Sequence, residues 1–442
     1  MSKVLKRAAA YALAIAISAL AAEVAAAAYA YAKLGEFVWM RLIRSATPTA
    51  SSATTDRAAR TRMKLFPYTG YALRPGWTVE ETGEVQKVLN MMGLTSRPGW
   101  LDYPANNFGF LARFDYPAMP SDPSTFYVGV AGGSVANGLA LAGEAAIREA
   151  VRSVQGFENR RVEIVNFASG GFKQPQHAIT LSYLLSLGQR FDLLINLDGF
   201  NEAYIGWENM NRSGASIDMP TAIFLFGLQN HFLSASSDAP NKVRAARREA
   251  TRLKDEMART ASGLRYFQLL LRARNLVAEE VKVENEVGGR VPGRDYPIVV
   301  QPAQGLDAEA MAETIADIWV RGSLQMQALA RQFGIPYIHA IQPNQYFDKR
   351  GPIMSAAEKA VAFSDPPHPA KALVPAVYGR MVARAPILAA AGIRFRDATP
   401  AFDDVADPLY FDTCCHFNQR GYDVLMERVI APAIRDALRR AP

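Results

Sequence analysis

The sequence predicts an α/β fold: a three-layer sandwich on a parallel sheet, with a helical insertion and an apolar helix at its amino terminus. Three observations predict it. Short apolar runs of strand type alternate with helical stretches from Phe126 to Leu197. The same alternation resumes at Pro336, after more than a hundred intervening residues. Glycine-rich turns follow the first three runs, where strands of a doubly wound sheet pass into helices. Strands separated by helices of this length need right-handed crossovers and a sheet covered on both faces.

Taken in order, Lys3, Lys6 and Arg7 precede an apolar stretch from Ala8 to Ala32, interrupted by Ser18 and Glu23. A helix of about 25 residues reaches roughly 37 Å, enough to span a bilayer with tilt. The expected localisation is therefore the cell membrane, through a single-pass anchor over residues 1–44, with the rest of the chain outside the cytoplasm. The rival reading is a signal peptide cleaved near Ala19-Leu20-Ala21, which leaves a secreted or periplasmic protein. Glu23 weighs against a span, since a carboxylate at mid-membrane costs about 2–3 kcal/mol. Residues 45–63 read as a linker rich in Ser, Thr and Ala. A main domain then covers 64–442, beginning with an irregular lead-in over 64–123.

Within that domain, strand runs are expected at Phe126–Ala131, Val162–Phe167, Asp192–Leu197, Pro336–Ile341 and Ile393–Asp397. Helices are expected from Ser134 to Ser153, Gln174 to Leu187, Ala370 to Ala391 and Gln419 to Arg440. The alternation breaks over about 203–333, where charged and amphipathic helical stretches (241–285 and 307–333) read as an insertion.

The formal charge is +7, but basic and acidic residues are interleaved and no nucleic-acid motif occurs, so nucleic acid is not an expected partner. The two cysteines, Cys414 and Cys415, are adjacent. They supply neither a zinc spacing nor a disulfide framework, and no metal or organic cofactor is implied.

Chemistry collects at the strand ends. The first ends in Ala131-Gly-Gly-Ser-Val-Ala-Asn-Gly138, which places Ser134 at the first turn of a helix beside free backbone N–H groups. Its spacing matches neither GxGxxG nor a phosphate loop. The second ends in Asn166-Phe-Ala-Ser-Gly-Gly171, and the third in Asp198-Gly-Phe-Asn-Glu202. Near the carboxyl end, Asp412-Thr-Cys-Cys-His416 precedes the last helix and holds one of only five histidines. After the fourth run, Gln342 and Asn344 are candidate substrate-binding side chains.

These four blocks, in this chain order, resemble the SGNH/GDSL hydrolase superfamily, over roughly Tyr68 to Ile434. The serine block is similar to Gly132-Gly133-Ser134, the glycine block to Asn166–Gly171, the Gly-x-Asn-Asp block to Gly199–Glu202, and the Asp/His block to Asp412–His416. The resemblance implies a flavodoxin-like sandwich and a Ser-His-Asp triad. Ser134 would be the nucleophile, His416 the base and Asp412 its orienter. The Ser134 and Gly171 N–H groups and the Asn201 side chain would form the oxyanion hole. Three departures are visible: Gly133 replaces an Asp, Glu202 replaces an Asp, and Asp412 stands four residues before His416 instead of three. The last leaves Asp403, Asp404 and Asp407 as alternative orienters. The implied function is an exported serine esterase cleaving an O-acyl ester on a small molecule or an envelope glycan or lipid. An O-acyltransferase using the same serine, or a non-catalytic envelope-binding protein, are the alternatives.

Overall fold

The computed structural model describes residues 11, 14, 17–29, 62–118, 124–234, 249, 252–253, 255–257, 259–260, 262–288 and 300–439. The chain divides into two compact units, residues 54–228 with 298–442, and residues 1–53 with 229–297.

The larger unit opens with a small antiparallel pair, β1 (Met63–Phe66) and β2 (Gly70–Leu73). The main sheet follows: β3 (Thr125–Gly132), β4 (Arg161–Asn166), β5 (Leu193–Asp198), β6 (Tyr337–Ile341) and β7 (Arg394–Asp397). All five run parallel in the spatial order β4-β3-β5-β6-β7. This is the doubly wound order in which the first strand lies inside the second, and its switch point falls between β3 and β5. The unbroken apolar runs have a plain cause: β3, β5 and β6 are buried along their whole length. The edge strand β7 is only partly covered and carries Arg394, Arg396 and Asp397, charges that discourage further pairing.

The helices form two groups. α1 (Ser134–Ala142), α2 (Glu144–Arg152), α7 (Gln419–Leu425) and α8 (Ala431–Arg439) pack together on one side. α3 (Gln176–Ser186), α4 (Phe200–Arg212), α5 (Ala308–Gln332) and α6 (Ala370–Ala383) pack on the other. The long helix expected from Ser134 to Ser153 is broken at Gly143, where an added Cβ would lie 2.6 Å from the Leu139 carbonyl oxygen. The lead-in is irregular, as its Pro and Gly content requires, yet Tyr71, Phe110 and Tyr116 enter the main core.

The expected insertion boundaries shift. Residues 229–297 lie outside the sheet unit, a shorter stretch than 203–333. α4 and α5 pack directly on α6 and on each other, and Trp319 of α5 is fully buried, so their apolar faces make them covering helices of the sheet.

In the smaller unit, an apolar helix runs Ile17–Tyr29, and a second helix runs Gly263–Gly288. The Glu23 carboxylate accepts hydrogen bonds from the Leu264 N–H at 2.9 Å and the Ser262 hydroxyl at 3.1 Å, which caps the second helix. Tyr29 meets Phe267 edge to face at 5.4 Å. Ile17, Leu20 and Val24 are exposed on one face of the first helix. The basic residues before it, the rest of the expected anchor segment and residues 45–61 of the expected linker lie outside the described residues, as do residues 440–442, while Met63 at the linker's expected end already belongs to β1. A second apolar stretch, Ala370–Ala390, is long enough to cross a membrane. Its Val374, Val377, Tyr378, Met381 and Leu388 are fully buried, and its first part, α6, packs on α4 and α5.

Candidate active site

The carboxyl ends of β3, β4 and β5 terminate together, with Gly132 opposite Leu197 and Val130 opposite Asn166. Ser134 therefore emerges beside the switch point. The turn that presents it demands glycine twice. Gly132 has φ +140°, and an added Cβ would lie 2.1 Å from the Leu197 carbonyl oxygen. At Gly133 a Cβ would stand 2.2 Å from the Asn201 amide nitrogen. This close approach explains the first departure, since a side chain here would push Asn201 from the serine. Gly133→Ala is accordingly expected to fold normally while lowering any turnover that runs through Ser134 by about 10²-fold, near the loss for one oxyanion donor. Comparable turnover in variant and wild type would disprove that role for the contact.

His416 Nε2 lies 2.6 Å from the Ser134 hydroxyl oxygen, although 282 residues separate them. Its Nδ1 lies 2.5 Å from Asp412 Oδ2. The other carboxylate oxygen of Asp412 accepts the backbone N–H groups of Cys414, Cys415 and His416 at 3.0, 3.1 and 3.2 Å. That closed turn accommodates the additional residue between Asp412 and His416. The alternative orienters are engaged elsewhere: Asp403 accepts the Lys349 N–H, Asp404 pairs with Arg428, and Asp407 pairs with Arg420.

Burial raises the Asp412 pKa, but the hydrogen bond and charge of His416 and the backbone donors outweigh it and hold the carboxyl below its ordinary value. For His416, burial works downward, and the hydrogen bond to Asp412 with the charges of Cys414 and Asp412 overcomes it, so the pKa lies above the usual 6.5. A base must be neutral to take a proton. The acid limb of kcat/KM is therefore expected above pH 6.5, with activity falling as pH drops through it. Removing the carboxylate charge in Asp412→Asn should move that limb to lower pH while cutting kcat. A limb unmoved by this substitution would detach it from the pair.

Asn201 begins α4, one residue into the helix, and donates one amide hydrogen to the Phe172 carbonyl at 2.8 Å. Gly171 sits in the loop after β4 with φ +78°, and its carbonyl accepts the Thr221 hydroxyl at 2.8 Å. Among the described residues no acceptor takes the N–H of Gly171 or of Ser134. Glu202 explains the second departure. One oxygen accepts the Gly199 N–H at 2.8 Å and the other the Gln174 N–H at 3.0 Å, so the longer side chain ties the loop after β4 to the start of α4. It is buried, and burial with the charge of Asp198 pushes its pKa up.

Gln342 and Asn344, the candidate substrate-binding side chains, follow the end of β6. Both are buried; the Asn344 amide reaches the Cys414 carbonyl at 3.4 Å, and its oxygen accepts the Tyr346 N–H at 3.0 Å. They stand behind the loop that carries Asp412 and His416, because β6 ends inside the core. The hydroxyl of Tyr71 was not legible from an irregular segment: it donates toward the Gly170 carbonyl and Thr221, both at 3.1 Å, bracing the glycine turn.

Among the described residues, two groups of side chains have metal-ligand chemistry: Cys414 with Cys415 and His416, and His177 with Asp198 and Glu202. In the second, Asp198 already accepts from Trp319 Nε1 at 2.7 Å, His339 Nε2 at 2.9 Å and Asn196 Nδ2 at 2.7 Å. Together with the two N–H groups on Glu202, these bonds make that cluster a buried brace under α4.

No protein-family model matches the chain, and no curated protein does. Among solved structures, the chain is similar to LAE5, an alpha/beta hydrolase enzyme from the metagenome of Lake Arreo, Spain, at 12% identity and a TM-score of 0.32, over 70% of this chain and 95% of that one.

Proposed function

We propose that the chain is a serine hydrolase of SGNH type that cleaves an acyl ester outside the cytoplasm. One observation carries the reading: an unbroken line from Asp412 through His416 to the Ser134 hydroxyl, with links of 2.5 and 2.6 Å. Serine is a weak nucleophile until a base takes its proton as the new bond forms. His416 Nε2 is placed to take it, and Asp412 fixes the tautomer that leaves Nε2 free. The same imidazolium then returns the proton to the departing alcohol, leaving an acyl-enzyme that water opens by the reverse sequence. Negative charge developing on the carbonyl oxygen would meet the N–H groups of Ser134 and Gly171 and the second amide hydrogen of Asn201. The exposed face of Ile17, Leu20 and Val24 supports an amino-terminal segment that seats in a membrane and holds the hydrolase at the envelope.

The test is covalent. A fluorophosphonate probe should label wild-type protein, and Ser134→Ala should not be labelled. Folded wild-type protein that stays unlabelled would remove the esterase reading in favour of a binding protein.

A further inference from the structure

We propose that Cys414 and Cys415 are a thiol-modification site, oxidised to a disulfide between neighbours that disengages Asp412 from His416 and silences Ser134. The cross-link rests on the reading of the chain as exported, where disulfides persist, and the silencing rests on Ser134 as nucleophile.

The two thiols are set for the bond. Both are free, and their sulfurs lie 3.1 Å apart, against about 2.05 Å in a disulfide. Cys414 is half-buried, whereas Cys415 is 1% exposed. Burial first, then the hydrogen bond and charge of Cys414 and the charge of Asp412, push the Cys415 pKa up, so Cys414 is the thiol that reacts first. It attacks the disulfide of an exported thiol–disulfide oxidant and releases one of that oxidant's sulfurs as a thiol. Cys415 then attacks Cys414 Sγ, loses its own proton and releases the second sulfur. Two protons and two electrons leave the cysteines, and the oxidant's disulfide takes them up as two thiols.

The place of the pair gives the bond its consequence. Asp412 Oδ1 accepts the Cys414 and Cys415 N–H groups at 3.0 and 3.1 Å, while Oδ2 holds His416 Nδ1 at 2.5 Å. One carboxylate thus grips the backbone of the cysteines with one oxygen and orients the imidazole with the other. Neighbouring Cα atoms lie about 3.8 Å apart across a trans peptide, short of the roughly 4.4–6.8 Å that disulfides span. Closing the ring must therefore distort the peptide between Cys414 and Cys415. The N–H of that peptide is the one Cys415 gives to Asp412. The turn opens, Asp412 loses donors that fix it, and the His416 ring leaves its 2.6 Å alignment on the Ser134 hydroxyl. Strained disulfides are the easily reduced ones, so a dithiol returns the loop to its working form.

The experiment uses the full chain, with a chelator present throughout and oxidised glutathione as the oxidant. The tryptic peptide Asp397–Arg420, which holds both cysteines, is weighed, and the rate of fluorophosphonate labelling is measured on the same samples. The peptide should become two hydrogens lighter, labelling should slow at least tenfold, and dithiothreitol should restore both. Cys414→Ala keeps only the enclosed thiol and should be labelled at its own untreated rate with the oxidant present. Two thiols still open to iodoacetamide, a peptide heavier by one glutathione, or a lighter peptide with unslowed labelling would each overturn the proposal. So would equal slowing in Cys414→Ala. Failure of the hydrolase reading looks different. A lighter peptide in protein that the probe never labels, even when reduced, keeps the cross-link and removes the hydrolase, and with it the silencing. Labelling that ignores the oxidant removes the switch and leaves the hydrolase.

Discussion

Ser134→Ala and His416→Ala should each lower kcat for an activated ester by about 10⁶-fold, and the double variant should be no worse than either alone. The reason is that the two groups act in one event. The hydroxyl attacks only as the imidazole accepts its proton across 2.6 Å, so losing either partner removes the whole step. What remains is binding and the oxyanion donors, which owe nothing to the imidazole. Steady-state rates for the three variants provide the check. Losses that multiply in the double variant would mean that serine and histidine act independently, and the triad would then be incorrect.

Glu358→Gln should destabilise the folded protein by about 3–5 kcal/mol, the cost of leaving a buried charge without its partner. The Arg350 guanidinium and the Glu358 carboxylate form a two-point pair at 2.8 and 3.0 Å, both side chains fully enclosed. Glu358 Oε1 also accepts the Leu409 and Tyr410 N–H groups at 2.8 and 3.0 Å. Arg350 donates to the Val405 and Asp407 carbonyls at 2.9 and 2.7 Å. The pair thus holds the strip of chain that ends two residues before Asp412. Loss of the carboxylate should cost stability in a urea titration and, in whatever remains folded, ester turnover as well. The exposed pair Arg420–Asp407 lies in the same region, and Asp407→Ala should leave both quantities near wild type. Equal behaviour of the two variants would show that the buried pair has no special hold on the loop.

Much of the frame follows from local pattern. The runs at β3, β5 and β6 are apolar because strands of a parallel sheet buried on both faces must be, and glycines 132 and 133 announce the turn that exposes Ser134. Residues whose role depends on what faces them were not legible. Gln342 and Asn344 have the chemistry of substrate contacts but are enclosed, and Tyr71 braces the glycine turn from a segment with no periodicity. The length of Glu202 reads as a departure until its two backbone donors are located.

The sequence by itself determined the alternation, the apolar amino terminus and the short list of reactive side chains, because these depend on periodicity and residue type along the chain. Only the tertiary structure chose Asp412 over Asp403, Asp404 and Asp407, and brought His416 to Ser134. Those outcomes depend on where strand ends and loops converge, and a carboxylate acquires its partner from the atoms that surround it in space.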